Sequence, residues 1–271
     1  MKDIFKNWST ISKKIQKYKH LLLLSDFDGT LCEIAKKPEQ VRLSKKVKFS
    51  LKNLKELSDV TLGIISGRPL KDIKKIIGIK KIFYVGNHGL ELECVNKRGR
   101  RKNFTLSGIK KTLPTLKKIK DELKKELDSI EGVIVEDKLY TLSVHYRMVK
   151  KKDIRRVKRI FQKVMRNHKI SGKVKVTSGK KVFEVRPPVD WHKGKAVIKI
   201  KRILNKRNLM TIYLGDDVTD EDAFRALNRN DISVFVGAKK KSNAKYKIKN
   251  TDGVKDLLDI LYKLRSNHEE D

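Results

Sequence analysis

Two aspartates, two positions apart, close an apolar run in Leu21-Leu22-Leu23-Leu24-Ser25-Asp26-Phe27-Asp28-Gly29-Thr30. A short apolar run ended by a turn signal reads as a buried parallel strand. Carboxylates at the carboxyl end of such a strand sit where open α/β sheets bind ligands. On an ideal strand Asp26 and Asp28 point to one side. Two carboxylates that close repel each other unless a positive charge stands between them. Mg²⁺, which prefers oxygen ligands, is the candidate.

Three further segments present polar groups at element ends. Val60-Thr61-Leu62-Gly63-Ile64-Ile65 runs into Ser66-Gly67-Arg68-Pro69, and Met210 to Leu214 runs into Gly215-Asp216-Asp217-Val218-Thr219-Asp220. His192-Lys193-Gly194 opens a helix. In a parallel sheet the three strand ends gather at one edge. The group types fit phosphoryl transfer through an aspartyl phosphate, because a carboxylate can attack phosphorus and the acyl phosphate is then hydrolysed. Mg²⁺ would neutralise the crowded carboxylates and the phosphate together. Ser66 and Lys193 would hold phosphoryl oxygens. A second carboxylate would protonate the leaving alkoxide and later activate water. Taken singly, Asp-x-Asp-Gly-Thr and Gly-Asp-Asp are ordinary turn or capping sequences. Their joint occurrence, each at the right element end, carries the reading.

The elements needed to position these groups follow from periodicity. Residues 2–18 predict an amphipathic helix, with Ile4, Trp8, Ile11 and Ile15 at helical spacing. A helix over 44–57, with Ser44 as N-cap, links the first two buried strands. A helix over 70–77 and strands at 82–85 and 90–95 come next, then a polar turn over 97–101. From about residue 106 the character changes to a helix over 108–127, an antiparallel pair at 133–135 and 140–146, a basic helix over 151–168, and a hairpin turning at Ser178-Gly179. Two helices and two hairpins make a compact α+β insert. After Pro187-Pro188 the strand–helix alternation resumes, ending in a helix over 254–264 and an acidic, frayed end. The expected organisation is an α/β fold: a Rossmann-like core with a parallel sheet in two parts, 1–105 and 188–271, and an inserted α+β cap at 106–187.

Composition narrows the class. The 271 residues hold 67 Lys and Arg against 32 Asp and Glu, a formal charge of +35. Such a balance favours anionic partners. The lysines are spread along the whole chain, however, with no RNA-binding aromatic motif. The expectation is a generally basic surface with no dedicated nucleic acid partner; a basic polyanion-binding protein is the non-enzyme alternative. No apolar run approaches the roughly 20 residues of a membrane span, and Leu21 to Leu24 is too short for a signal-peptide core. A cytoplasmic monomer is expected. Cys32 and Cys94 form neither a CxxC nor a Cys/His cluster, so no disulfide framework or zinc site is indicated.

Asp26-Phe27-Asp28-Gly29-Thr30, Ser66, Lys193 and Gly215-Asp216-Asp217 resemble the four motifs of the haloacid dehalogenase-like (HAD) phosphatases. More narrowly, the chain is similar to the trehalose-6-phosphate phosphatase family. Ser66-Gly67-Arg68, Gly86-Asn87-His88-Gly89-Leu90-Glu91, Lys181-Val182-Phe183-Glu184-Val185-Arg186-Pro187 and the stretch from Leu214 to Phe224 carry that likeness. It covers about residues 20 to 262. The resemblance implies Asp26 as nucleophile, Asp28 as general acid/base, and Ser66 and Lys193 on the phosphate. It implies Mg²⁺ on Asp26, the Asp28 carbonyl and Asp216, with Asp217 and Asp220 supporting the metal or Lys193. The insert would be a cap closing over the sugar. Sugar contacts would come from Arg68, Asn87 and His88 in the core, and from Arg147, Lys181 and Glu184 in the cap. The resemblance leaves open sucrose 6-phosphate, mannosyl-phosphoglycerate or glucosylglycerol phosphate as the substrate.

Overall fold

The computed structural model describes residues 1–95, 100–170, 172–238 and 241–267. In chain order, β1 (Lys2–Asp3) and α1 (Trp8–Gln16) precede the alternation β2 (His20–Ser25), α2 (Lys45–Glu56), β3 (Val60–Ile65), α3 (Leu70–Ile77) and β4 (Phe83–Gly86). β5 (Glu91–Val95) and β6 (Arg101–Thr105) follow. Then come α4 (Leu113–Leu127), β7 (Ile134–Asp137), β8 (Leu142–His145), α5 (Ile154–Ile170), β9 (Lys175–Gly179) and β10 (Val182–Arg186). The chain closes with α6 (Lys193–Leu204), β11 (Leu209–Gly215), α7 (Glu221–Arg225), β12 (Ile232–Val236), β13 (Tyr246–Ile248) and α8 (Thr251–Ser266). Two compact units result: Met1–Phe104 with Trp191–Asp271, and Thr105–Asp190.

The first unit is built on a sheet of order β1-β13-β12-β11-β2-β3-β4-β5-β6 among the described residues. β2 lies at its middle, parallel to β11 (Ser25 opposite Leu214) and to β3 (Ser25 opposite Ile64). Its unbroken leucine run has a simple cause, since both faces are covered. Leu21 and Leu23 pack with Ile11 and Ile15 of α1, Leu51 and Leu54 of α2, and Leu257 and Leu258 of α8. Leu22 and Leu24 pack on the other side with Ala196, Val197 and Ile200 of α6 and Phe224 of α7. Each leucine is at most 2% exposed, and burying one contributes roughly 1.5–3 kcal/mol. Ser44 caps α2 as expected, accepting from Val47 N at 3.2 Å.

The second unit is a four-stranded antiparallel sheet, order β7-β8-β10-β9, backed by α4 and α5. The aligned Val135, Val144 and Phe183 face the helices, among Leu116, Ile119, Leu123, Val157, Phe161 and Met165. The adjacent row, Glu136 opposite Ser143 opposite Glu184 opposite Thr177, alternates with it. Successive side chains on a strand point to opposite faces, so this row belongs to the polar face.

Several expectations are corrected. The helix expected over 2–18 begins only at Trp8. Asp3 Oδ1 takes the N–H groups of Phe5 and Lys6 at 3.0 and 3.1 Å, while Lys2 and Asp3 pair in parallel with Tyr246 and Lys247. Both β1 and β13 were missed because two or three mixed residues carry no period. The polar turn expected over 97–101 falls partly outside the described residues (96–99), and Arg101 already opens β6. The hairpin expected to turn at Ser178-Gly179 turns at Lys180-Lys181, because Gly179 still pairs with Val182. Lys181 takes a left-handed φ of 57° there. The helix expected over 254–264 runs from Thr251 to Ser266, and the acidic end expected to fray, 268–271, lies outside the described residues. Among the described residues no helix is long and apolar enough to cross a membrane.

Candidate active site

The site starts where β2 and β11 end side by side. Asp26 N still donates to Leu214 O at 2.8 Å, so Asp26 leaves the sheet next to Gly215-Asp216. Carboxylate oxygens of Asp26, Asp216 and Asp220 all lie within 4.8 Å of one another, and the three residues are buried. Two glycines make this packing possible. Gly29 has a φ of +87°, and a Cβ there would stand 2.2 Å from Asp216 Oδ2. A Cβ on Gly215 would stand 2.4 Å from Asp220 Cγ.

Lys193, in the first turn of α6, reaches into this group. Its Nζ donates to Asp26 Oδ1 at 2.8 Å and to Asp220 Oδ1 at 2.7 Å. Burial opposes the charge on Lys193, but Asp220 and Asp26 outweigh it and raise its pKa; it is an ammonium. Burial raises the pKa of Asp26; Lys193 opposes the rise and Asp220 and Asp216 add to it. Three buried carboxylates thus share one ammonium, a set two positive charges short of balance when fully ionised. Hard oxygen donors at this spacing fit a divalent cation such as Mg²⁺.

The four acids of the β11 turn and β2 are not equivalent. Asp220 accepts four hydrogen bonds: from Lys193 and the Tyr213 hydroxyl (2.7 Å) on Oδ1, and from Asp216 N and Asp217 N (3.1 Å each) on Oδ2. A carboxylate has about four acceptor positions, so Asp220 is saturated by the protein. It holds Lys193 and the turn, leaving Asp26 and Asp216 as the better ligands. Asp217, expected with the metal or Lys193, caps Val218 N at 2.7 Å and is not in the three-carboxylate group.

Around the β3 end, Ser66 is fully buried, with its N–H on Val85 O at 2.9 Å. Its Oγ accepts from Arg68 N at 3.1 Å, which leaves the hydroxyl proton for an anion. The next loop is tied to this one: Asn87 N donates to Arg68 O at 2.8 Å and His88 N to Ser66 O at 2.9 Å. Asn87 and His88 both adopt left-handed φ, 49° and 57°, a conformation uncommon outside glycine. The His88 ring lies against Gly67, where a Cβ would meet it at 2.5 Å. Asn87 spends its amide on Glu91 Oε2 at 2.6 Å. Arg68, expected on the sugar, instead grips Asp28 through two hydrogen bonds, Nε to Oδ2 at 2.8 Å and Nη2 to Oδ1 at 2.7 Å.

The residues expected for the sugar in the 105–190 unit separate into two places. Glu184 sits mid-strand on the polar face, 7% exposed. It accepts from Lys138 Nζ and Ser143 Oγ, both at 3.4 Å, and pairs with Arg186, whose Nε is at 3.1 Å. Glu136 joins this network, 2.7 Å from His145 Nε2 and 3.8 Å from Lys138 Nζ. Arg147 and Lys181 are grouped at the β9–β10 turn, where Arg147 Nη2 donates to Lys180 O at 3.0 Å. Sequence reasoning missed Glu136, Lys138, His145 and Arg186. The period of two would have found Glu136 and His145, which alternate with Val135 and Val144.

Comparison with known proteins agrees with this geometry. Residues 24–253 match the family model described as trehalose-phosphatase. A trehalose-phosphate phosphatase of Mycobacterium bovis is 33% identical over 214 residues, covering 78% of this chain and 52% of that protein. The chain thus spans about half the length of that relative. The C-terminal domain of a C. albicans trehalose-6-phosphate phosphatase shares the fold, with a TM-score of 0.80 at 24% identity, over 95% of this chain and 97% of that one. A haloacid dehalogenase-like hydrolase from Bacteroides thetaiotaomicron shares it too, with a TM-score of 0.62 at 15% identity, over 90% of this chain and 100% of that one.

Proposed function

Because the chain belongs to the trehalose-phosphatase family, we propose that it hydrolyses trehalose 6-phosphate to trehalose and inorganic phosphate through an aspartyl phosphate on Asp26. The observation that supports this most is the buried Asp26–Lys193–Asp220 chain of hydrogen bonds beside Asp216. It leaves one carboxylate oxygen of Asp26 at the end of a strand, where a phosphate can meet it.

In the first half-reaction Asp26 attacks phosphorus and the bond from phosphorus to the ester oxygen breaks. Asp28 gives that oxygen its proton, so trehalose leaves as a neutral alcohol. In the second, water attacks phosphorus, Asp28 takes its proton, and the bond from phosphorus to Asp26 breaks. Asp26 is restored and phosphate leaves. The Lys193 ammonium and the Ser66 hydroxyl hold the phosphoryl oxygens as charge spreads over them. Asp26, Asp216 and the Asp28 carbonyl would hold Mg²⁺, which would neutralise the carboxylates and the phosphate. The 105–190 unit acts as the cap, and its Glu184 and Arg186, with Glu136, Lys138 and His145, recognise sugar hydroxyls. Charged and paired side chains of this kind donate and accept in the way a polyol requires.

The test is phosphate release from trehalose 6-phosphate, sucrose 6-phosphate, glucose 6-phosphate and p-nitrophenyl phosphate, with Mg²⁺ and with EDTA. The expected result is a strong preference for trehalose 6-phosphate that EDTA abolishes. Mg²⁺-dependent release centred on another sugar phosphate would keep the chemistry and reject the substrate. Release that persists in EDTA would reject the metal.

A further inference from the structure

Arg68 is engaged by the protein through all three of its guanidinium nitrogens. Nε and Nη2 take the two oxygens of Asp28, and Nη1 donates to the Pro38 carbonyl at 3.1 Å. The guanidinium carbon stands 5.7 Å from the centre of the Phe27 ring. The side chain is only 12% exposed. A planar fork held at three points is a rigid object, and its geometry matches a carboxylate.

Asp28 is the reverse case. It lies past the end of β2 in the turn before Gly29, and its side chain is 32% exposed. Alone, such a side chain samples several rotamers. The fork fixes the plane of the carboxylate and the place of both oxygens.

We propose that Arg68 is a positioning residue for Asp28. It aims the carboxylate at the ester oxygen, and it is not a sugar contact. The inference rests on the aspartyl-phosphate reading of the site. As the bond from phosphorus to the ester oxygen breaks, its electron pair stays on that oxygen. The proton carried by one Asp28 oxygen moves to it, while the other Asp28 oxygen keeps its N–H from Arg68. In the second half-reaction the same Asp28 oxygen receives the proton of the attacking water. A lysine at this position would offer a point charge to one oxygen and lose the fork.

Two esters without a sugar separate the roles. The leaving phenolate of p-nitrophenyl phosphate departs unprotonated, whereas the alkoxide of p-nitrobenzyl phosphate needs a proton. First-turnover release of phenol or alcohol is measured for the wild type, Arg68→Lys, Arg68→Gln, Asp28→Asn and the double variant Asp28→Asn/Arg68→Gln, with circular dichroism to check folding. The expected result is a loss of about 10²-fold with the benzyl ester and less than about threefold with the phenyl ester in both Arg68 variants, with KM little changed. Asp28→Asn should show the same split, and adding Arg68→Gln to it should cost nothing more, since both act through one proton transfer. Equal losses on the two esters, additive losses in the double variant, or an effect confined to KM for trehalose 6-phosphate would overturn the proposal. Asp26→Asn is run beside them. If it still turned over the phenyl ester, the aspartyl-phosphate reading would fall, and the Arg68 proposal with it.

Discussion

The Tyr213 hydroxyl donates to Asp220 Oδ1 at 2.7 Å, the same oxygen that receives the Lys193 ammonium. Tyr213 is fully buried within β11, its ring edge-on to Phe224. Burial raises its pKa, and the charges of Asp220 and Asp26 raise it further, so the phenol stays protonated and keeps donating. Tyr213→Phe keeps the packing and removes the donor. The expected cost is about 1–2 kcal/mol of stability, with a lower kcat from a less firmly held Lys193. Urea unfolding and steady-state kinetics on one preparation check both. An unchanged kcat would mean that Lys193 is held by the two aspartates alone.

The acidic group of Asp26, Asp216 and Asp220 should respond to the cation directly. A ligand that binds only the folded state stabilises it by mass action, by about 2.7 kcal/mol at a hundred times its Kd. Mg²⁺ should therefore raise the melting temperature of the wild type, and EDTA should remove the gain. Asp216→Asn should lose the gain. Asp217→Asn should keep it, because Asp217 caps Val218 and stands outside the group. Equal behaviour of the two variants would return Asp217 to the metal. Differential scanning fluorimetry reads this without any substrate.

On the polar face of the 105–190 sheet, Glu184→Ala removes the acceptor shared by Lys138, Ser143 and Arg186. Turnover of trehalose 6-phosphate should fall about tenfold or more, consistent with losing hydrogen bonds to a charged group. Turnover of p-nitrophenyl phosphate should hold. Comparable losses on both substrates would take Glu184 out of the sugar site.

Arg265, at the end of α8, is 2% exposed. It donates to Tyr18 O at 2.9 Å and to Lys19 O at 3.2 Å, and pairs with Asp59. One side chain thereby ties α8 to the segments that lead into β2 and β3. Removing one partner of a buried pair costs roughly 3–5 kcal/mol. Arg265→Ala should show a loss of that size in chemical denaturation while active-site distances, and hence KM, stay put. A loss below about 1 kcal/mol, the range of exposed pairs, would show that the pair contributes little.

Much of the candidate site is legible in the sequence. Asp26, Asp28, Ser66, Lys193, Asp216 and Asp220 follow from residue type and place at element ends. The parallel pairing of β2 with β3 and β11 follows from leucine and isoleucine runs that only a sheet covered on both faces can bury. The edge strands β1 and β6, and β13 beside β1, were not legible, because short mixed segments are strands only by virtue of a neighbour. Nor was the partner of Arg68: it and Asp28 are forty residues apart in sequence, and nothing local links them.

The division has a physical cause. Sequence by itself determined which groups stand at strand ends, because hydrophobic period and turn chemistry are local, and it suggested the chemistry proposed for them. Tertiary structure decided which oxygen each cation holds. It saturated Asp220, turned Asp217 to a cap, gave Arg68 to Asp28, and built the Glu136–Lys138–Glu184 network from two segments far apart in sequence. Hydrogen bonds between distant segments are directional to a few tenths of an ångström. No local pattern of residues carries that information; only the packed chain does.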